Sequence, residues 1–169
     1  MSAPTDPAPG RVAVGVSGSL GGLAALRAGV GEARRLGRVL VAVIAWEPPE
    51  GRALYLRNPE PAWAAHWELE ARKRLDRAFE DAFGGLPEGV EVRKVAGMDR
   101  PGRVLCAVAG RPDDLLVVGG RPGARWAPVR RYVLRHAQCP LLTVPAPRPP
   151  KGAARELRHA TAEDFTLRG

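Results

Sequence analysis

The residues best suited to chemistry lie in one stretch, "LLVVGGRPGARWAPVRRYVLRHAQCPLLTV", Leu115 to Val144. An apolar run stops at Gly119-Gly120 and crosses a loop that carries Arg121, Gly123 and Arg125. It then enters a helix-like segment that opens with Arg130 and Arg131. Strand, glycine turn and helix start is how α/β proteins hold a phosphate: glycine lets the backbone approach, and the helix start presents unpaired N–H groups. Arginine forks bind the same group by a second route. The chemistry implied is anion binding. The bland reading is a solvated basic surface, because arginine supplies 23 of the 26 basic residues and is spread along the chain.

Covalent chemistry has less to build on, and no catalytic residue is assigned. The loop lacks the Gly-Lys-[Ser/Thr] order of a phosphate-binding P-loop. Ser17-Gly18-Ser19 is not the Gly-x-Ser-x-Gly of a nucleophile elbow. Cys106 and Cys139 have no metal-like spacing and read as small buried hydrophobes, while His66, His136 and His159 are scattered, so no metal site is expected. Asp113-Asp114 precede an apolar run and read as turn residues.

Position must come from the elements around these residues. Val12 to Val16 is a short apolar run closed by Ser17-Gly18-Ser19, the pattern of a buried parallel strand. In the helix that follows, Leu23, Leu26, Val30 and Ala33 share a face, Arg34 and Arg35 sit in the last turn, and Gly37 is a stop. Residues 38–45 form a second apolar strand, ended by Pro48-Pro49, and 47–60 read as a long connection. Trp63, Trp67, Ala71, Leu75, Ala78, Phe79 and Ala82 recur at helical spacing, and the tryptophans are expected to pack rather than bind a cofactor. A strand at 90–97, a short helix with Val104, Leu105 and Val108 inward, a strand from Leu115, a helix at 129–137 and a strand at Leu141–Val144 complete the series. Five strands in strict alternation with four helices specify a single doubly wound α/β domain with a parallel sheet and helices on both faces.

Composition agrees with one globular domain over 11–145: 169 residues, 45% hydrophobic and 26% charged. Residues 1–10 are expected to be disordered, and 146–169 to form a Pro-rich linker and tail with a helix-compatible stretch at about 152–164. No run reaches the roughly 18–20 apolar residues of a membrane span, and the first ten residues lack a signal-peptide pattern, so a soluble, cytoplasmic protein is expected. The net charge of +8 and pI near 10.6 would permit nucleic-acid binding. Dispersed basic residues and few stacking aromatics argue against it.

Three segments in order, "VAVGVSGSLGGLAALRAGVGEARRLG", "VAGMDRPGRVLCAVAGRPDDLLVVGGR" and "YVLRHAQCPLLTV", resemble universal stress proteins over about residues 11–145. The resemblance implies strand order 3-2-1-4-5, an adenine-nucleotide-hydrolase-like fold, and a homodimer, often through the last strand, here Leu141–Val144. Protein partners are implied as well. Some members bind ATP or cyclic AMP where the strand order reverses; others bind no nucleotide. By the same resemblance, the site would draw on Ser17, Gly18, backbone groups at Val43 and Ile44, the Gly119-Gly120 turn and Gly123, while Arg121, Arg125 and Arg130, read from the residues themselves, would add an arginine-based anion site.

The family pattern is incomplete here. ATP-binding members carry an aspartate where this chain has Ser17, and a charge-assisted hydrogen bond worth roughly 1.5–3 kcal/mol is lost with it. The phosphate loop should end in glycine and a hydroxyl residue, but Ala127-Pro128 stand there, and proline has no N–H. Proline still suits the first helical turn. Two readings follow. One is a non-enzymatic regulatory module with a degenerate site that binds ATP weakly or not at all and requires no cofactor. The other is an ATP or cyclic-AMP sensor rebuilt around arginine. Trp126 either covers a pocket or plugs it.

Overall fold

The computed structural model describes residues 9–120 and 128–148. Expectations for the first eight residues, the 121–127 loop and the tail from 149 fall outside these. The described elements are β1 (Val12–Gly15), α1 (Leu20–Leu36), β2 (Leu40–Trp46), α2 (Arg52–Tyr55), α3 (Pro61–Phe83), β3 (Val92–Met98), α4 (Pro101–Val108), β4 (Leu115–Gly120), α5 (Pro128–His136) and β5 (Leu141–Pro145). The strands form one parallel sheet in the order β3-β2-β1-β4-β5, as the resemblance implied.

Strand periodicity explains the two faces. Val12 and Val14 of β1 turn towards α1 and α3, where Leu26, Val30, Leu75 and Phe79 complete one apolar cluster. Ala13, with Val41 and Val43 of β2, turns the other way to meet Val104, Leu105 and Val133 of α4 and α5. A sheet covered on both sides favours apolar residues at every position, which is why β1, β2 and the start of β4 read as unbroken runs, whereas the edge strand β3 carries Arg93 and Lys94. Ser19 caps α1 by accepting a hydrogen bond from the Gly22 N–H at 3.1 Å, and Gly37 closes the helix in the left-handed region. Pro128 begins α5, as its ring geometry allows.

Three details depart from the sequence reading. The 47–60 connection contains the four-residue helix α2, too short to show a period. Trp63 is 43% exposed and packs edge-on against Trp67, with ring centroids 5.7 Å apart, so only Trp67 belongs to the core face. Asp114 is more than a turn residue. Its buried carboxylate accepts from the Arg11 backbone N–H at 2.8 Å, from the Arg11 guanidinium at 2.9 Å and from the Arg111 N–H at 3.2 Å. This clamp ties the chain entering β1 to the start of β4.

Candidate functional site

Parallel strands all deliver their carboxyl ends to one edge of the sheet. The crossovers from β1 and β4 leave on opposite sides, so a crevice opens between them. Here Gly15 pairs in register with Val43, and Val14 with Val117. Beyond Gly15 the chain runs through Val16 and Ser17 to Gly18, whose φ of 70° makes the turn into α1. Ser17 is exposed, and its hydroxyl lies 2.9 Å from that of Ser19, the residue that caps α1. A ligand anion beside Ser17 would meet the positive end of a 17-residue helix.

On the other wall, Gly119 presses against the first turn of α1. A Cβ at position 119 would overlap the carbonyl oxygen of Gly21 and come within 3.1 Å of the Gly22 nitrogen. Packing therefore accounts for this glycine without a phosphate. Gly120 serves the sheet edge: its carbonyl accepts from the Ala146 N–H at 2.7 Å.

Between these walls lies a cleft of about 260 Å³, slightly below the roughly 300–1,000 Å³ usual for drug-sized ligands. Gly15, Val16 and Ser17 line it from β1, Val43 to Ala45 from β2, and Val118 and Gly119 from β4. Pro101 and Leu105 of α4, Val129 of α5 and Arg74 of α3 close it. The Val43 carbonyl already accepts from the Val16 N–H at 2.8 Å, though its second lone pair remains for a ligand. An outer groove of about 520 Å³ shares Ala45, Arg74 and Pro101 with this cleft and adds Trp46, Glu47, Trp67, Glu70 and Asp99. The indole N–H groups of Trp46 and Trp67 are buried without an acceptor among the described residues.

Of the residues assigned from sequence, the cleft brings together Ser17, Val43 and Gly119. Gly18 shapes the adjoining turn, while Gly120 and the exposed Arg130 are not among the lining residues. Arg121, Gly123, Arg125 and Trp126 lie outside the described residues. Arg74 was missed. Its only sequence signal is its place between Ala71 and Leu75, which pack α3 onto the sheet.

The lining supports binding more readily than bond breaking. Among the described residues no carboxylate, histidine or thiol lines the inner cleft. Burial pushes the Cys106 and Cys139 thiols up from their ordinary range, which keeps them protonated. Among the described residues no group of three His, Cys, Asp or Glu is placed to hold a metal ion, and no helix is long and apolar enough to cross a membrane.

Comparison with known proteins places this architecture. The universal stress protein Slr1101 of Synechocystis is 28% identical over 93 residues, covering 50% of this chain and 84% of that protein. A solved universal stress protein in complex with cAMP matches with a TM-score of 0.52 at 20% identity, over 83% of this chain and 99% of the other. A universal stress protein family member from Arabidopsis thaliana, solved with AMP bound, matches with a TM-score of 0.53 at 18% identity, over 86% and 99%. At these identities the structural likeness speaks for the fold. The sequence model of the universal stress protein family matches residues 9–145, from the approach to β1 to the end of β5, and the chain belongs to that family.

Proposed function

We propose that this protein is a regulatory binding protein without catalytic activity, and that its switch-point cleft takes an adenine nucleotide weakly. The observation that carries this reading is the open cleft beside Ser17, at the crevice where open α/β sheets bind ligands. Support comes from the relatives solved with cAMP and with AMP. Weakness follows from the chemistry. A serine hydroxyl replaces the carboxylate expected of ATP-binding members, and the loss of one charge-assisted hydrogen bond lowers affinity roughly 10- to 100-fold. The cleft is also small.

A second reading has its own observation. Among the described residues the last strand, β5, pairs only with β4, and Leu141, Leu142, Thr143 and Val144 stay half-buried at the sheet edge. That edge suits a homodimer, in which the fold would serve as an interaction module whether or not the cleft is filled.

The test is to denature purified protein, identify any released nucleotide by mass spectrometry, and titrate stripped protein with ATP, AMP and cyclic AMP by calorimetry. Saturable binding is expected with a Kd between about 100 μM and 1 mM, near −5 kcal/mol. No released nucleotide and no heat at about 10 mM ligand, weaker than −3 kcal/mol, would leave the interaction-module reading alone.

A further inference from the structure

Among the described residues the cleft has a single charged side chain in its lining, Arg74 of α3. Arg74 also lines the outer groove, so it stands at the seam between the two. The groove carries three carboxylates, and each meets another cation. Glu70 pairs with Lys73 at 2.8 Å, Asp99 with Arg52 at 2.7 Å, and Glu47 with Arg100 at 3.8 Å. Glu70 is the i−4 neighbour that would ordinarily hold Arg74 on a helix. Arg74 itself has no ion pair or hydrogen bond within the described residues.

The Glu70 carboxylate feels the charge of Arg74 at longer range but bonds to Lys73, so the guanidinium keeps its N–H donors for a ligand at the mouth of an apolar cleft. Ala45, Pro101, Leu105, Val118 and Val129 are low-dielectric walls, and such walls focus the field of a single charge. Among the described residues the inner cleft offers the Ser17 hydroxyl and strand backbone but no carboxylate to bridge through a metal ion.

We propose that Arg74 is the residue by which this cleft selects anionic over neutral ligands, holding the phosphate of a metal-free adenosine monophosphate or cyclic monophosphate on the α3 side. The inference rests on the nucleotide reading of the same cleft. It places the ligand's charge at α3 rather than over the glycine turn of β4.

The experiment titrates the full chain with AMP, cyclic AMP and adenosine, in EDTA and in Mg²⁺. Calorimetry gives the affinities, and fluorescence of Trp46 and Trp67 in the adjoining groove gives a second readout. Wild type is compared with Arg74→Ala, Arg74→Lys and, as a control on the same helix, Arg77→Ala. AMP should bind at least about tenfold more tightly than adenosine, with no dependence on Mg²⁺. Arg74→Ala should remove that gap while leaving adenosine within about twofold of wild type. Arg74→Lys should retain a preference for AMP, and Arg77→Ala should change neither ligand. Arg74 is exposed, so equal unfolding midpoints should accompany these results. Equal affinity for adenosine and AMP in wild type, or a gap that persists in Arg74→Ala, overturns the role of Arg74 and leaves the nucleotide reading standing. If none of the three ligands binds, the nucleotide reading fails and this inference with it.

Discussion

Gly119 of β4 and Gly21 of α1 meet backbone to backbone, so closely that a methyl group on residue 119 would occupy the space of the Gly21 carbonyl oxygen. Neither partner has a side chain that could swing away. Gly119→Ala must therefore displace the first turn of α1 or bend β4, and overpacking of this kind costs about 1–3 kcal/mol. The urea midpoint of the ligand-free protein should fall accordingly. Gly120→Ala is the contrast: its Cβ would meet the Thr143 methyl at an ordinary 3.6 Å, and stability should barely change. Equal midpoints for wild type and Gly119→Ala would refute the packing account and return the glycine to a ligand-binding role.

That contact also marks how far the sequence could be read. Glycine after a strand suggested a phosphate turn, yet only coordinates reveal the helix backbone leaning on it. The inner strands were legible because a doubly covered sheet writes itself as apolar runs, and the edge strand β3 by its alternation. Their order was not in the periodicity; it came from the resemblance of three segments to a family. Arg74 was illegible for a different reason. Arg72, Arg74 and Arg77 all lie on the polar side of α3, and nothing in their spacing says which one reaches the sheet's carboxyl edge. The packing of Ala71, Leu75 and Ala78 decides that. Asp114 read as a turn residue because its partner Arg11 is 103 positions away.

Asp114 gives a prediction in pH. Burial raises its carboxyl, but hydrogen bonds from the Arg11 side chain and from the Arg11 and Arg111 backbone N–H groups outweigh this and hold it below the ordinary range. A carboxyl lowered in the folded state stabilises the fold fully above its unfolded value of about 3.9. That contribution is lost as pH falls through the lower, native value. Wild-type stability should therefore decline on acidification below about pH 4 more steeply than that of Asp114→Asn. At neutral pH the variant leaves Arg11 and buried N–H groups short of an acceptor. Because Arg11 is partly solvated, the loss should be roughly 2–3 kcal/mol. Urea unfolding across the pH range measures both effects, and parallel curves for the two proteins would contradict the clamp.

Ser17 offers the reverse experiment, a gain. Position 17 adjoins the N-terminus of α1, where a carboxylate is favoured, and ATP-binding relatives are expected to carry aspartate there. Ser17→Asp should fold normally, since the side chain is exposed. It should strengthen ATP binding roughly 10- to 100-fold in Mg²⁺ and much less in EDTA, where like charges repel. Calorimetry in the two buffers separates the cases. No gain in Mg²⁺ would mean that nucleotide phosphates do not pass Ser17.

β5 tests the dimer. A terminal strand exposes unpaired backbone groups along its free side and recruits another strand unless it is blunted. Pro145 blunts only its end. On the same strand Leu142 and Val144 pack partly against the α1 cluster and Leu141 against the opposite one, so both faces at this edge stay half-covered. A second copy related by a two-fold axis would cover the same residues on each chain. Sedimentation should give a dimer that dissociates on dilution. Thr143→Arg and Val144→Arg should each shift it towards monomer while the monomer keeps its helical circular dichroism. A wild-type chain that stays monomeric at every concentration tested would remove β5 as the interface. A dimer untouched by both arginines would move the interface to another face.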